Sequence, residues 1–207
     1  KKRFDETVKM LDKAEKETGE KKLYATNITD SSIERMVERL NYVHEHGHKM
    51  VMLDVYVMGL AALPYVLKHA QKHNIFVHAH RAGYSAHHRG SYGVNFQVYE
   101  KFYRLLGVDQ LHIGTGVGKM EGSPLLIKRF HDIAVKYNGD EKFYLGSLKF
   151  KFAKHIKPFF PVASGGVDPG MIEKLIALHG KDIVIQAGGG VHGHPKGTEA
   201  GARALRY

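Results

Sequence analysis

The sequence predicts an α/β fold with parallel strands, namely an incomplete (β/α)8 barrel that occupies the whole chain, residues 1–207. Two observations lead to this prediction. Short apolar segments alternate with amphipathic helical segments about six times, which is typical of a parallel sheet with right-handed crossovers. The repeating unit of roughly 25 to 35 residues is the length found in (β/α)8 barrels. A doubly wound sheet is the second possibility.

The individual elements follow from hydrophobic spacing and from helix-end signals. Strands are predicted at 21–29, 49–57, 74–80, 110–114, 159–164 and 182–188. Helices are predicted at 4–18, 32–46, 60–73, 95–106, 123–137, 169–179 and 197–206, the second of them capped by Asp30 or Ser31. The chain opens on a helix and stops inside another. Because a closed barrel needs eight units, we expect about two units, with the first strands and the last helix, to lie outside it.

The composition is that of an ordinary globular protein, with 43% hydrophobic and 25% charged residues. No apolar run approaches the roughly 20 residues that span a bilayer, and no signal-peptide core follows the basic start, so no membrane association is predicted. The absence of cysteine excludes disulfides and suits a cytoplasmic enzyme. The net charge of +10 favours an anionic partner. The basic residues form no block, so we expect no specific nucleic-acid binding.

Candidate site residues stand at the ends of the predicted strands, where barrels carry their chemistry. Arginine can hold a phosphate through two hydrogen bonds, and histidine can move protons near neutral pH. Two glycine runs follow the last two strands, where backbone N–H groups can approach a phosphate. Taken singly, each residue could equally be a packed histidine, a surface arginine or an ordinary turn. The set is Asn27, Asp54, His80, Arg81, His112, Ser164, Gly165, Gly166, Gly188, Gly189 and Gly190.

The segment GTGVGKMEG, residues 114–122, places Lys119 and Glu121 in a stretch rich in glycine. It is not a Walker loop, because Met120 follows the lysine where serine or threonine is required. One interpretation is a lid that closes over substrate, with Lys119 stabilising developing negative charge and Glu121 orienting the loop or the amine. An exposed loop with a solvated lysine is equally compatible with the sequence.

The histidine-rich segment HAHRAGYSAHHRG, residues 78–90, is not interpreted as a metal site. His78 and His80 alternate along a strand and are expected to face opposite sides of it. The HExxH spacing of zinc proteases does not occur. The sequence therefore predicts no metal site within this chain.

Four segments of the chain, in their order and spacing, resemble the large subunit of ribulose-1,5-bisphosphate carboxylase/oxygenase, RuBisCO. They are HAHRAG, QLHIGTGVGKMEG, PVASGG and QAGGGVHGHPKG. ETGEKKLYATNIT and the segment around Asp54 match as well, so the resemblance covers essentially the whole chain. The stretch GVNFQVYEKFYRLLGVDQLHIGT looks most like the archaeal, form III, branch of the family.

The resemblance implies a role for each candidate residue. His80 matches the proton acceptor, and Lys119 matches the mobile-loop lysine that stabilises the carboxylation transition state. Arg81 and His112 match ligands of one substrate phosphate. Many family members have histidine where this chain has Tyr84. Ser164 matches a substrate-contacting serine. Backbone elements of the substrate and phosphate sites are matched by Gly165, Gly166, Gly188 and Gly189. The matches to supporting residues are Asn27, Asp54 and Glu121.

The implied reaction is carboxylation, with oxygenation, of ribulose 1,5-bisphosphate, in which CO2 and the sugar give two 3-phosphoglycerates. The implied Mg2+ is held by a carbamylated lysine, an aspartate and a glutamate of a K-x-D-E segment expected upstream of residue 1, so the chain alone is expected to be inactive. The implied assembly is a homodimer or a higher homo-oligomer. The archaeal branch implies a role in AMP or nucleotide ribose salvage.

Two alternatives stay open on the sequence. One is a RuBisCO-like enolase or isomerase of methionine salvage, which often lacks the lid lysine. The other is a non-catalytic bisphosphate-binding module.

Overall fold

A computed structural model describes residues 1–117, 122–143 and 146–206, with only the backbone for 140–149. The chain forms two compact units, Lys1–Gly93 and Val94–Tyr207. Each unit contains three parallel strands. The predicted site residues Lys119 and Glu121 lie outside the described residues.

The first unit alternates helices and strands from its first residues. Its elements are α1 (Lys2–Thr18), β1 (Thr26–Asn27), α2 (Ile33–Glu45), β2 (Met50–Asp54), α3 (Val55–Lys72), β3 (Phe76–His80) and α4 (Tyr84–His88). Strand β2 lies between β1 and β3 and is parallel to both. The register pairs Asp54 with His80, so the carboxyl ends of β2 and β3 are level.

The second unit has the same alternation and one insertion. Its elements are α5 (Phe96–Leu106), β4 (Gln110–His112), α6 (Pro124–Val135), β5 (Asn138–Phe143), β6 (Gly146–Lys151), β7 (Phe160–Ser164), a 3-10 turn (Pro169–Met171), α7 (Ile172–His179), β8 (Val184–Gln186), α8 (Gly188–His192) and α9 (Thr198–Arg206). Strand β7 lies between β4 and β8 and is parallel to both. Strands β5 and β6 form an antiparallel hairpin.

Apolar side chains from strands and helices form the cores of both units. In the first unit, Leu40 of α2, Leu53 of β2 and Leu63 of α3 are fully buried. In the second, Leu111 of β4 and Ile133 of α6 are fully buried. These strands carry apolar residues at successive positions because helices follow them and cover them, as parallel sheets require.

All six predicted strands are present, and helices follow them as predicted. The structure therefore confirms an α/β fold with parallel strands, consistent with part of a barrel. A count of eight units remains a prediction.

Several predicted boundaries are wrong. The strands predicted at 21–29 and 182–188 are confined to Thr26–Asn27 and Val184–Gln186. The strand predicted at 49–57 ends at Asp54, because Val55, Tyr56 and Val57 begin α3. An apolar run cannot by itself distinguish a buried strand from the buried start of a helix. The cap of α2 is Ser32, whose hydroxyl accepts a hydrogen bond from the backbone N–H of Arg35 at 3.2 Å.

The expectation that His78 and His80 face opposite sides of their strand is also wrong. Residues two apart in a strand point to the same face. The parallel register pairs His78 with Met52 and His80 with Asp54, so the two pairs are two positions apart on both strands. Both histidines therefore lie on the same face of β3.

The hairpin β5–β6 and the short helices α4 and α8 were not predicted. A signal for β6 exists, because Lys149, Phe150, Lys151 and Phe152 alternate between charged and aromatic residues. Phe150 and Phe152 are buried and pack with Ile133 of α6. An antiparallel insertion does not fit a strict strand–helix alternation, which is why that pattern alone misses it.

Candidate active site

The first unit contains a hydrogen-bonded chain of three predicted site residues. Asp54 Oδ1 lies 2.7 Å from His80 Nδ1, and Asp54 Oδ2 accepts a hydrogen bond from Asn27 Nδ2 at 2.8 Å. The register explains the arrangement, since Asp54 and His80 are directly opposed at the ends of β2 and β3. The structure thus brings together residues separated by 26 and 27 positions in the sequence.

The carboxylate determines the tautomer of His80. An ionised carboxylate only accepts hydrogen bonds, so His80 carries its hydrogen on Nδ1. The backbone N–H of Ala82 also points at this Nδ1, but at 3.4 Å it is a much longer contact than the 2.7 Å to Asp54. With hydrogen on Nδ1, the ring has its lone pair on Nε2, which is then the atom that can accept a proton.

Thr29 completes the support of Asp54 and was not predicted from the sequence. Its hydroxyl Oγ1 accepts a hydrogen bond from the backbone N–H of Asp54 at 2.8 Å. The side chain of Asn27 in turn accepts a hydrogen bond from the backbone N–H of Thr29 at 2.9 Å. Asp54 is therefore held through both its backbone and its carboxylate. The sequence around Asp54 carries no signal of these contacts, because Asn27 and Thr29 lie outside β2.

Arg81 follows β3 directly, and its guanidinium lies over an aromatic ring. The Cζ atom of Arg81 is 5.5 Å from the centroid of the Tyr84 ring, within the range of a cation–π contact. Tyr84 in turn stacks on His88, with ring centroids 4.9 Å apart. Tyr84 therefore packs against the guanidinium of Arg81.

The second unit brings together His112 and Ser164, which are 52 positions apart in the sequence. His112 Nδ1 lies 2.6 Å from Ser164 Oγ. His112 ends β4 and Ser164 ends β7, two adjacent parallel strands. If the serine hydroxyl donates to Nδ1, the ring carries its hydrogen on Nε2, where it can donate to an anion.

Glycine is required immediately after Ser164. Gly165 has φ +106° and Gly166 has φ +69°, which is left-handed backbone that other residues rarely adopt. The turn directs the chain away from β7 and toward the 3-10 turn at Pro169–Met171.

The second glycine run approaches the segment that follows this turn. A Cβ on Gly190 would lie 2.3 Å from the backbone oxygen of Val167, so only glycine allows this approach. Gly188 and Gly189 are exposed and have open space where a side chain would stand. The two predicted glycine runs are therefore neighbours.

Within the described ranges, no group of three histidine, aspartate or glutamate side chains is arranged to hold a metal ion. The described residues do not fit a Mg2+ site. The paired carboxylate of Asp54 is committed to Asn27 and His80.

Among the described helices, none is long and apolar enough to cross a membrane.

Parallel strands that end in an aspartate–histidine pair and in a histidine–serine pair beside glycine turns define a class of protein, the α/β proteins with polar residues at the carboxyl ends of their strands. The model of the ribulose bisphosphate carboxylase large chain, catalytic domain, matches residues 1–207. The chain belongs to this family.

Archaeal proteins are among its relatives. The ribulose bisphosphate carboxylase of Methanocaldococcus jannaschii is 44% identical over 209 residues, covering 99% of this chain and 47% of the relative. The dimeric archaeal enzyme of Hyperthermus butylicus has a TM-score of 0.88 at 39% identity, covering 99% of this chain and 47% of that one. The octameric enzyme of Pyrococcus horikoshii has a TM-score of 0.83 at 43% identity, covering 96% and 44%. This chain spans about half the length of these relatives.

Proposed function

We propose that this chain is the catalytic-domain part of a ribulose-1,5-bisphosphate carboxylase. The observation that carries the proposal is the hydrogen-bonded pair Asp54–His80, since the family resemblance gives His80 as the proton acceptor. The relatives are named ribulose bisphosphate carboxylases over the same stretch. The reaction is the addition of CO2, or of O2, to ribulose 1,5-bisphosphate, and the carboxylated product is cleaved to two 3-phosphoglycerates.

His80 would accept a proton at Nε2 when the sugar is converted to its enediol. Asp54 would hold the ring in the required tautomer and stabilise the imidazolium that forms, as a carboxylate does for a catalytic histidine. Asn27 would keep the carboxylate in place through its hydrogen bond to Oδ2.

A bisphosphate substrate needs two anion sites, and the family resemblance gives Arg81 and His112 as ligands of one of its phosphates. Arg81 is a bidentate phosphate ligand whose planar guanidinium is supported by Tyr84. In the second unit, His112 would donate Nε2–H to a phosphate oxygen while Ser164 holds Nδ1. The turn at Gly165 and Gly166, and the start of α8 at Gly188 and Gly189, would offer backbone N–H groups. Lys119 and Glu121 keep their proposed loop roles.

Mg2+ would supply electrostatic stabilisation of the enediol and of the carboxylated product when it is bound. Its proposed ligands, a carbamylated lysine, an aspartate and a glutamate, belong to a part of the protein outside this chain. We accordingly propose that residues 1–207 alone do not turn over substrate, and that the active protein is at least a homodimer. Cytoplasmic location and a role in AMP or nucleotide ribose salvage are part of the same proposal.

The test is the assay of the full-length protein with ribulose 1,5-bisphosphate, labelled bicarbonate and Mg2+. We expect label in 3-phosphoglycerate and loss of that product in Lys119→Ala. Turnover of a thiomethyl-ribulose or diketopentyl phosphate in place of the bisphosphate would identify the enolase or isomerase alternative. Tight binding of the bisphosphate without any turnover would identify the binding module.

A further inference from the structure

The chain that leaves β4 is held by α7, an element 64 positions away in sequence. His179, the last residue of α7, lies with Nε2 3.3 Å from the backbone oxygen of Thr115. Both residues are buried, with His179 3% exposed and Thr115 fully covered. The acceptor is a carbonyl, so Nε2 carries the hydrogen and donates.

The two residues after Thr115 are held by the same helix. Gly116 has φ +71°, and a Cβ there would lie 2.9 Å from Leu178 Cδ2 and 3.3 Å from Ile127 Cβ. Val117 packs against the cluster that contains Leu175 of α7. Three consecutive residues, 115 to 117, are therefore positioned by one face of α7, and His179 supplies the hydrogen bond among those contacts.

A second buried histidine serves as a comparison for His179. The ring of His131 in α6 lies 5.3 Å from that of His179, centroid to centroid. It is similarly buried, at 6% exposure, but its described polar contacts are with Lys128 and Asp132 and not with Thr115. If His179 acts through its contact with Thr115, replacing His131 will not reproduce the effect of replacing His179. If both histidines only fill the core, the two replacements will have similar effects.

We propose that His179 is a positioning residue, whose Nε2–H anchors Thr115 and so sets where the chain leaves β4 between His112 and Lys119. The inference rests on the proposed function for its catalytic consequence. His112 precedes Thr115 by three positions, and Lys119 follows Val117 by two. His112 itself is held in β4 and by Ser164, so the anchor acts on the residues that follow it, up to Val117.

The experiment compares three variants of the full-length protein: His179→Phe, which keeps a ring but removes the donor; His179→Gln, which keeps a donor; and His131→Phe as the matched control. The first measurement is amide hydrogen exchange of residues 114–117. We expect about a tenfold faster exchange in His179→Phe, recovery to within about threefold of wild type in His179→Gln, and no comparable change in His131→Phe.

The second measurement is steady-state kinetics. We expect kcat to fall about tenfold in His179→Phe, with KM for ribulose 1,5-bisphosphate within about twofold of wild type. The proposal that His179 anchors Thr115 would be overturned by equal exchange rates in His179→Phe and His131→Phe. It would also be overturned if exchange in His179→Phe stayed at the wild-type rate. An inactive wild-type protein would overturn the proposed function instead, and the exchange result would still decide the anchor.

Discussion

Asp54 Oδ1 and His80 Nδ1 lie 2.7 Å apart at the level ends of two neighbouring parallel strands. In the proposed function, a carboxylate at this distance would hold the hydrogen of His80 on Nδ1 and leave Nε2 to accept the substrate's proton. The same carboxylate accepts a hydrogen bond from Asn27. Asp54 thus links Asn27 to His80.

Replacing Asp54 with asparagine should lower kcat about 100-fold, because the neutral amide neither enforces the tautomer nor stabilises the imidazolium. KM for ribulose 1,5-bisphosphate should change little, since Asp54 acts through His80. The measurement is steady-state carboxylation by the full-length protein. Asp12→Asn, at an exposed position of α1, is the control and should keep wild-type kcat. A kcat within a few-fold of wild type in Asp54→Asn would contradict the role of the pair.

Replacing Ser164 with alanine should raise KM for ribulose 1,5-bisphosphate about tenfold, because His112 loses the partner of its Nδ1 and with it a defined donor at Nε2. Steady-state kinetics over a range of bisphosphate concentrations measures the change. Ser91→Ala, in an exposed segment of the first unit, should leave KM unaltered. Unchanged KM in Ser164→Ala would show that the His112–Ser164 contact has no part in substrate binding.

Replacing Arg104 with methionine should destabilise the fold. Its guanidinium is buried and donates to the backbone oxygens of Ile133, Lys136 and Lys157, and it lies 4.1 Å from the Phe152 ring centroid. Burial lowers the pKa of Arg104, a sign of how far the charge is removed from water.

Methionine would leave those carbonyls without their donor, so the free energy of unfolding should fall by about 3 to 5 kcal/mol. Urea unfolding of the full-length protein measures it. Arg203→Met removes an arginine from an exposed ion pair with Glu199 and should cost less than about 1 kcal/mol. Equal effects of the two substitutions would show that the buried contacts of Arg104 contribute nothing specific.

Stability should depend on pH through His179. Burial lowers the pKa of His179 to about 4, from the ordinary value of 6.5, against an opposing contribution from the hydrogen bond to Thr115. His131 and Lys128 disfavour the charged form further, and burial together with Lys128 also lowers the pKa of His131.

Because the unfolded chain binds this proton more readily, the contribution of His179 to the free energy of unfolding should be constant above pH 6.5 and should decrease as the pH falls toward 4. The loss attributable to His179 is on the order of 2 to 3 kcal/mol. Urea unfolding at several pH values measures the slope. His179→Phe should flatten it, whereas His155→Gln, at an exposed position, should not. A slope in His179→Phe equal to that of wild type would contradict the assignment.

The sequence by itself determined the six parallel strands, the helices between them and the family. These depend on local periodicity and on motifs such as HAHRAG and PVASGG, which are complete within a few residues. It also placed His80 and Ser164 at strand ends, because their apolar runs end there, whereas Asp54 ends β2 within a longer apolar run. It did not show the hairpin β5–β6, because the hairpin interrupts the alternation of strands and helices. It did not show that α3 starts at Val55, because Val55 continues the apolar run of β2.

Only the tertiary structure decided which of these residues touch. Asp54 meets His80, His112 meets Ser164, and Thr115 meets His179 across 26, 52 and 64 positions of sequence. Strand register and helix packing set these contacts, and both depend on many distant residues at once. The pairing of residues on different strands leaves no periodic signal in either strand, so chemistry that depends on a pair becomes visible only when the strands are aligned.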